Sequence, residues 1–147
     1  MSSAHERFKD SMSENFAGLW REKRLPASEL IGLEVLDFDH SKLSIRTKFL
    51  AASHLFNAMG FVQGGILGAM FDDTLSLAGT VASNFTKLML THEMKLCFIQ
   101  PASPGLIFGE GRVAHLGKSL AFLEGELRSK DGMLWTTATT SARPFSF

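Results

Sequence analysis

The sequence predicts an α+β domain: one long central helix against an antiparallel sheet of five to six strands, with an extra helix at the N-terminus. Three observations predict it. One long stretch in the middle of the chain, residues 64–82, has helical periodicity. The segments around it alternate polar and apolar residues at the period of a half-buried strand. Turn signals such as Asp131-Gly132 separate those segments. At 147 residues the chain has the length of one domain, taken as residues 1–147.

Taken in order, residues 4–24 place Phe8, Met12, Phe16, Leu19 and Trp20 at helical spacing, and Pro26 ends that segment. Ile31, Leu33, Val35 and Phe38 then suggest a strand, and Asp39-His40-Ser41 a turn. Leu43, Ile45, Thr47 and Phe49 alternate with Lys42, Ser44, Arg46 and Lys48, which predicts a strand returning as a hairpin. Residues 51–63 have no period and read as a long loop, a kind of connection that is often functional. After the central helix come four strand-like stretches: Leu88–Gln100, Leu106–Leu116, Ser119–Lys130 and Met133–Ala142. Gly109-x-Gly111 falls inside a strand and reads as room for a closely approaching neighbour.

Composition removes several classes of function. Fifteen basic residues balance fifteen acidic ones, so the electrostatic footprint of a nucleic-acid binder is missing, and near-zero net charge makes self-association easy. No apolar run reaches the ~18 residues of a membrane span, and MSSAHERFKD carries no secretory h-region. A single cysteine, Cys97, fits a reducing compartment, and the expectation is a cytoplasmic protein. Cys97 sits between Leu96 and Phe98 and reads as a small buried hydrophobe rather than a nucleophile. The histidines show no metal-ligand spacing, so no metal is expected.

On a helical wheel, residues 64–82 divide into two faces. Ile66, Leu67, Met70, Phe71, Leu75, Leu77, Ala78, Val81 and Ala82, with Thr74, form a core face. Gly68, Ala69, Asp72, Ser76, Gly79 and Thr80 form the other, with Asp73 at the margin. A solvated face would carry Lys, Glu and Arg. This one suits either a close subunit contact or a carboxylate, Asp72, presented to a ligand cleft at such a contact. The preceding Gln63-Gly64-Gly65 lets the chain turn sharply and exposes the first free helix N–H groups, which with the dipole favour an anion or oxyanion.

Together these residues form Asn57-x5-Gln63-Gly64-Gly65-x6-Asp72. The pattern resembles the N-x-x-G-x-x-H-G-G…D signature of hot-dog-fold acyl-CoA thioesterases of the phenylacetic-acid-degradation (PaaI-like) family. Asn57, Gly60, Gly64, Gly65 and Asp72 match it in residue and spacing. Thr91-x-Glu93-Met94-Lys95-Leu96-x-Phe98-x-x-Pro101-Ala102 is similar to the family's strand leading into its "RPA" turn, and Gly117-Lys118-Ser119-Leu120-Ala121-Phe122 to its G-K/R-S/T-x-x-F segment. The resemblance spans about residues 30–143. Gln63 departs from it, standing where the family most often has histidine. Glutamine cannot shuttle a proton near neutral pH, which argues against dehydration and leaves hydrolysis open.

The resemblance implies a hot-dog fold and hydrolysis of an acyl-CoA thioester. Coenzyme A is then part of the substrate, and no separate cofactor is required. It implies Asp72 as general base or nucleophile, the Gly64 N–H as oxyanion donor, and Asn57 and Gln63 in positioning roles. Gly65, Ser76, Thr91, Lys118 and Ser119 would bind or orient substrate, with Lys118 at the coenzyme A phosphate. It also implies a homodimer, extended to a homotetramer, with Asp72 on one chain and Asn57 and Gly64 on the other. Each residue has a plainer alternative: loop hydrogen bonding for Asn57, a bond back to a helix carbonyl for Ser76, an ordinary strand position for Thr91 and plain surface for Lys118. The alternative function is a non-catalytic acyl-CoA or acyl-ligand binding protein of the same fold.

Overall fold

The computed structural model describes residues 2, 3, 6, 7 and 25–146. The expected N-terminal helix over residues 4–24 lies outside them, apart from Glu6 and Arg7, and is not borne out. The chain runs α1 (Pro26–Leu30), β1 (Glu34–Asp39), β2 (Ser44–Ala51), a 3-10 turn (Ser53–Leu55), α2 (Gly64–Ala82), β3 (Lys87–Phe98), β4 (Gly105–Leu116), β5 (Ala121–Arg128) and β6 (Leu134–Ser146). The six strands form one sheet in the order β1-β2-β4-β5-β6-β3, antiparallel throughout. This is the expected α+β arrangement of one central helix on a six-stranded antiparallel sheet. β1 and β3 are its edges.

Pro26 opens α1, where its missing N–H costs nothing at the first helical position. Ile31 N–H still bonds back to Ala27, and Gly32 turns the chain out at φ +67°, so β1 begins at Glu34 rather than Ile31. The β1–β2 turn is built by Asp39, whose Oδ1 accepts from the Ser41 hydroxyl and from the Ser41 and Lys42 N–H groups. Those bonds hold its carboxyl below the usual carboxylate range. In β2 the expected alternation holds: Ile45, Thr47 and Phe49 are buried while Arg46 and Leu50 face out. β6 runs on to Ser146, past the expected end at Ala142. Its pairing with β5 stops at Ala142, and Pro144 is tolerated in the overhang that only β3 borders.

α2 buries Leu67, Met70, Phe71, Leu75, Ala78 and Val81 against the sheet, as the wheel requires. It can lie close because Gly109, Gly111 and Gly125 face it from β4 and β5. A Cβ on Gly111 would stand 3.0 Å from Thr74 Cγ2, and one on Gly109 would collide with the Thr47 hydroxyl. Across this gap the buried Thr47 and Thr74 hydroxyls share a 2.8 Å hydrogen bond.

The small-residue face of α2 is only partly what the wheel suggests. Strand β3 of the same chain crosses it. Phe98 lies over Gly64, Leu96 over Gly68 and Met89 over Gly79, so Gly79 and Thr80 are buried without any second subunit. The glycines there serve close helix–strand packing.

Candidate active site

The long loop ahead of α2 is ordered by its own hydrogen bonds. Asn57 is its hub: Oδ1 accepts from the Met59 and Phe61 N–H groups at 2.9 and 3.2 Å, and its own N–H donates to the Phe61 carbonyl at 2.7 Å. Gly60 takes φ +81° to close the turn. Leu55 and Val62 are buried beneath it, and Val62 N–H bonds to the Ala102 carbonyl. Asn57 thus satisfies loop backbone groups, the plainer of its two readings. The loop delivers Gln63 to the helix start.

Gln63 is the N-cap of α2: its Oε1 accepts from the Ile66 N–H at 3.1 Å. A Cβ on Gly65 would lie 2.9 Å from that oxygen, so glycine there makes room for the cap. With Ile66 satisfied, the Gly64 and Gly65 N–H groups have no acceptor among the described residues. They form a pair of free donors at the positive end of a long helix, the arrangement that stabilises developing negative charge.

Asp72 is exposed, and its Oδ1 accepts from the Thr91 hydroxyl at 2.5 Å. β3 therefore orients this carboxylate from its inner face, which brings together two of the expected site residues. The Ser76 hydroxyl reaches the Met89 carbonyl at 3.5 Å and bonds neither to Asp72 nor back to a helix carbonyl. Lys118 and Ser119 are exposed in the β4–β5 turn, which the Gly117 N–H closes on the Leu120 carbonyl.

Asp73, at the margin of the wheel, is largely withdrawn from water, and Oδ2 is buried with no hydrogen-bond partner. Burial raises its pKa to about 6, against a hydrogen bond from Ser28 of α1 that lowers it and the charge of Asp72 that raises it further. No sequence signal pointed to Ser28, because it lies in a stretch with no helical period of its own. Cys97, expected to be buried, is exposed. It lies on β3, an edge strand most of whose residues are exposed. Among the described residues no cluster of His, Cys, Asp or Glu could hold a metal ion, and no helix is long and apolar enough to cross a membrane.

One chain does not bring the donors and the carboxylate together. Gly64 and Asp72 are eight residues apart along α2, about 12 Å at the helical rise. Both stand beneath the same edge strand, Gly64 under Phe98 and Asp72 under Thr91.

Residues 59–136 match the thioesterase superfamily. The chain belongs to that family. A phenylacetic acid degradation-related protein from Ralstonia eutropha JMP134 is 32% identical, superposes with a TM-score of 0.77, and aligns over 87% of this chain and 98% of its own. The PaaI protein of the phenylacetic acid degradation operon of E. coli has a TM-score of 0.78 over 98% of this chain and 97% of its own, at 13% identity. A Streptococcus mutans UA159 protein bound to acetyl-CoA has a TM-score of 0.68 over 78% of this chain and 90% of its own, at 16% identity. No curated protein sequence is significantly similar. In this thioesterase-superfamily chain the matched stretch contains every expected site residue except Asn57, which lies two positions ahead of it. The fold is the hot-dog fold of that superfamily, as the sequence motif implied.

Proposed function

We propose that this protein hydrolyses acyl-CoA thioesters at a site shared by two copies of the chain. One observation carries the proposal: the free Gly64/Gly65 N–H pair and the Thr91-held Asp72 sit about 12 Å apart under one edge strand. An edge strand is a template for pairing. An antiparallel pairing of β3 with a second β3, centred on Met94, sets Thr91 of one copy opposite Cys97 of the other, one residue from Phe98. Asp72 of one copy then approaches the Gly64 N–H of its mate. The same register sets Glu93 opposite Lys95, and Leu90, 50% exposed, loses water contact. The assembly is a homodimer, with a homotetramer as the next level.

In this reading the thioester carbonyl points at the Gly64 and Gly65 N–H groups, which hold the oxyanion as the tetrahedral intermediate forms. Asp72 either removes a proton from an attacking water or adds directly to the carbonyl carbon. The carbon–sulfur bond then breaks, and the departing thiolate takes up a proton to leave as coenzyme A. The first route gives the free acid at once. The second leaves an acyl-Asp72 anhydride that a water molecule hydrolyses to the acid and the restored carboxylate. Thr91 keeps the Asp72 carboxylate in place. Gln63 acts through the helix, by capping it. Lys118 and Ser119, exposed at the β4–β5 turn, meet coenzyme A phosphate in this reading.

Gln63 also supports a second reading, an acyl-CoA or acyl-ligand binding protein without turnover. Thiol release separates the two. Asp72→Asn keeps the shape of the side chain but is neither base nor nucleophile. It should lower kcat by about 10²–10⁴ with elution volume unchanged. Turnover at the native rate in that variant removes Asp72 from the mechanism, and a native protein that binds acyl-CoA without releasing thiol establishes the binder.

A further inference from the structure

We propose that Phe98 sets which acyl groups the site accepts, its ring forming the wall beside the oxyanion donors. The inference rests on the acyl-CoA reading and adds a specificity-determining residue to it. Phe98 ends β3, and its ring leans on the first residue of α2. Ring atoms Cζ and Cε1 lie 3.1 and 3.4 Å from where a Cβ on Gly64 would stand. The ring is nonetheless 54% exposed, so it is not a core side chain. The ring is held against the Gly64 backbone, and in the proposed site its exposed remainder borders the acyl group whose carbonyl meets the Gly64 N–H. Leu96 repeats the contact one turn along, 3.2 Å from a Cβ position on Gly68, which leaves the ring little room to retreat along the helix.

A wall this close to the donors meets the acyl carbons nearest the carbonyl, not the far end of a long chain. Phe98 therefore discriminates by bulk at the α-carbon. One methyl group more or less in an apolar site changes kcat/KM by about 10–200-fold.

The test compares butanoyl-CoA with its α-branched isomer isobutyryl-CoA, and hexanoyl-CoA with decanoyl-CoA, in the parent, Phe98→Leu, Phe98→Ala and Phe98→Trp proteins. Melting and elution profiles confirm fold and assembly. The isobutyryl/butanoyl ratio of kcat/KM should rise at least ~10-fold in the Leu or Ala variant and fall in the Trp variant, with the decanoyl/hexanoyl ratio nearly constant. Parallel loss on all four substrates overturns the wall and leaves hydrolysis standing. Non-hydrolysable thioether analogues of the same four esters give the same ratios as Kd values. If the parent binds these but turns over none of the esters, the hydrolase reading falls and the Kd ratios judge Phe98. If it binds none, both readings fall.

Discussion

Asp73 follows Asp72 by one residue on α2, and the rotation of about 100° between them puts their carboxyls in different surroundings. Asp72 is in water with Thr91 as its donor. Asp73 is turned toward Ser28, with one oxygen buried and unpaired. The desolvation cost therefore falls on the residue that the proposed chemistry does not use. Its pKa of about 6 in the fold, against an ordinary 3.8, means that the folded state holds the proton more tightly than the unfolded chain. The contribution to stability is full below pH 3.8, declines as pH rises through 3.8 to 6, and is lost above that. Asp73→Asn removes the penalty, on the order of 2 kcal/mol after allowing for residual solvent. Thermal melts should place Asp73→Asn above the parent at pH 7.5, with the gap closing near pH 4; a gap independent of pH would show that burial of this carboxylate is not its source. The residue pattern made Asp72 and the glycine pair legible, because helical spacing and the motif fix their faces. It did not separate Asp72 from Asp73 in burial. That difference depends on α1, which has no period to read.

Among the elements, α2 was legible to the residue at both ends, since Gly64-Gly65 starts it and a long apolar stripe sustains it. The β1–β2 hairpin was legible because polar and apolar residues alternate over one buried face. What escaped was set by tertiary contact. Pro26 reads as a stop when taken with what precedes it and as a start when taken with α1. The small face of α2 reads as a partner contact until β3 is seen to cross it. The glycines of β4 were legible as a place where something approaches, though not that α2 is what approaches. Gly109→Ala tests that approach. In an open strand the change would be neutral or helpful, whereas here the new methyl meets the Thr47 hydroxyl and stands 3.0 Å from Thr74 Oγ1. It should destabilise by about 1–3 kcal/mol, read from the denaturant midpoint at unchanged m-value. A stabilised variant would mean that α2 rides higher on the sheet than these contacts require.

At the scale of the molecule, the sheet has two edges with different protection. β1 is short and bulged between Val35 and Asp37, features that discourage pairing. β3 has twelve residues and carries half-exposed Leu90 and Phe98. Light scattering at micromolar concentration should therefore give at least twice the mass of the 147-residue chain; a monomer alone would leave Gly64 and Asp72 on separate, incomplete half-sites.

The 12 Å between those half-sites has a genetic consequence. If each reaction centre borrows its donors from one chain and its carboxylate from the other, two dead proteins can repair each other. Gly64→Pro deletes one donor at a helix position where proline is at home, and Asp72→Asn deletes the carboxylate. Co-refolded in equal amounts, they should recover about a quarter of native activity, because half the random dimers are mixed and each mixed dimer keeps one whole centre. Two alleles of the gene would then complement within a single cell, and a carrier of both would score as partly active although neither product works alone.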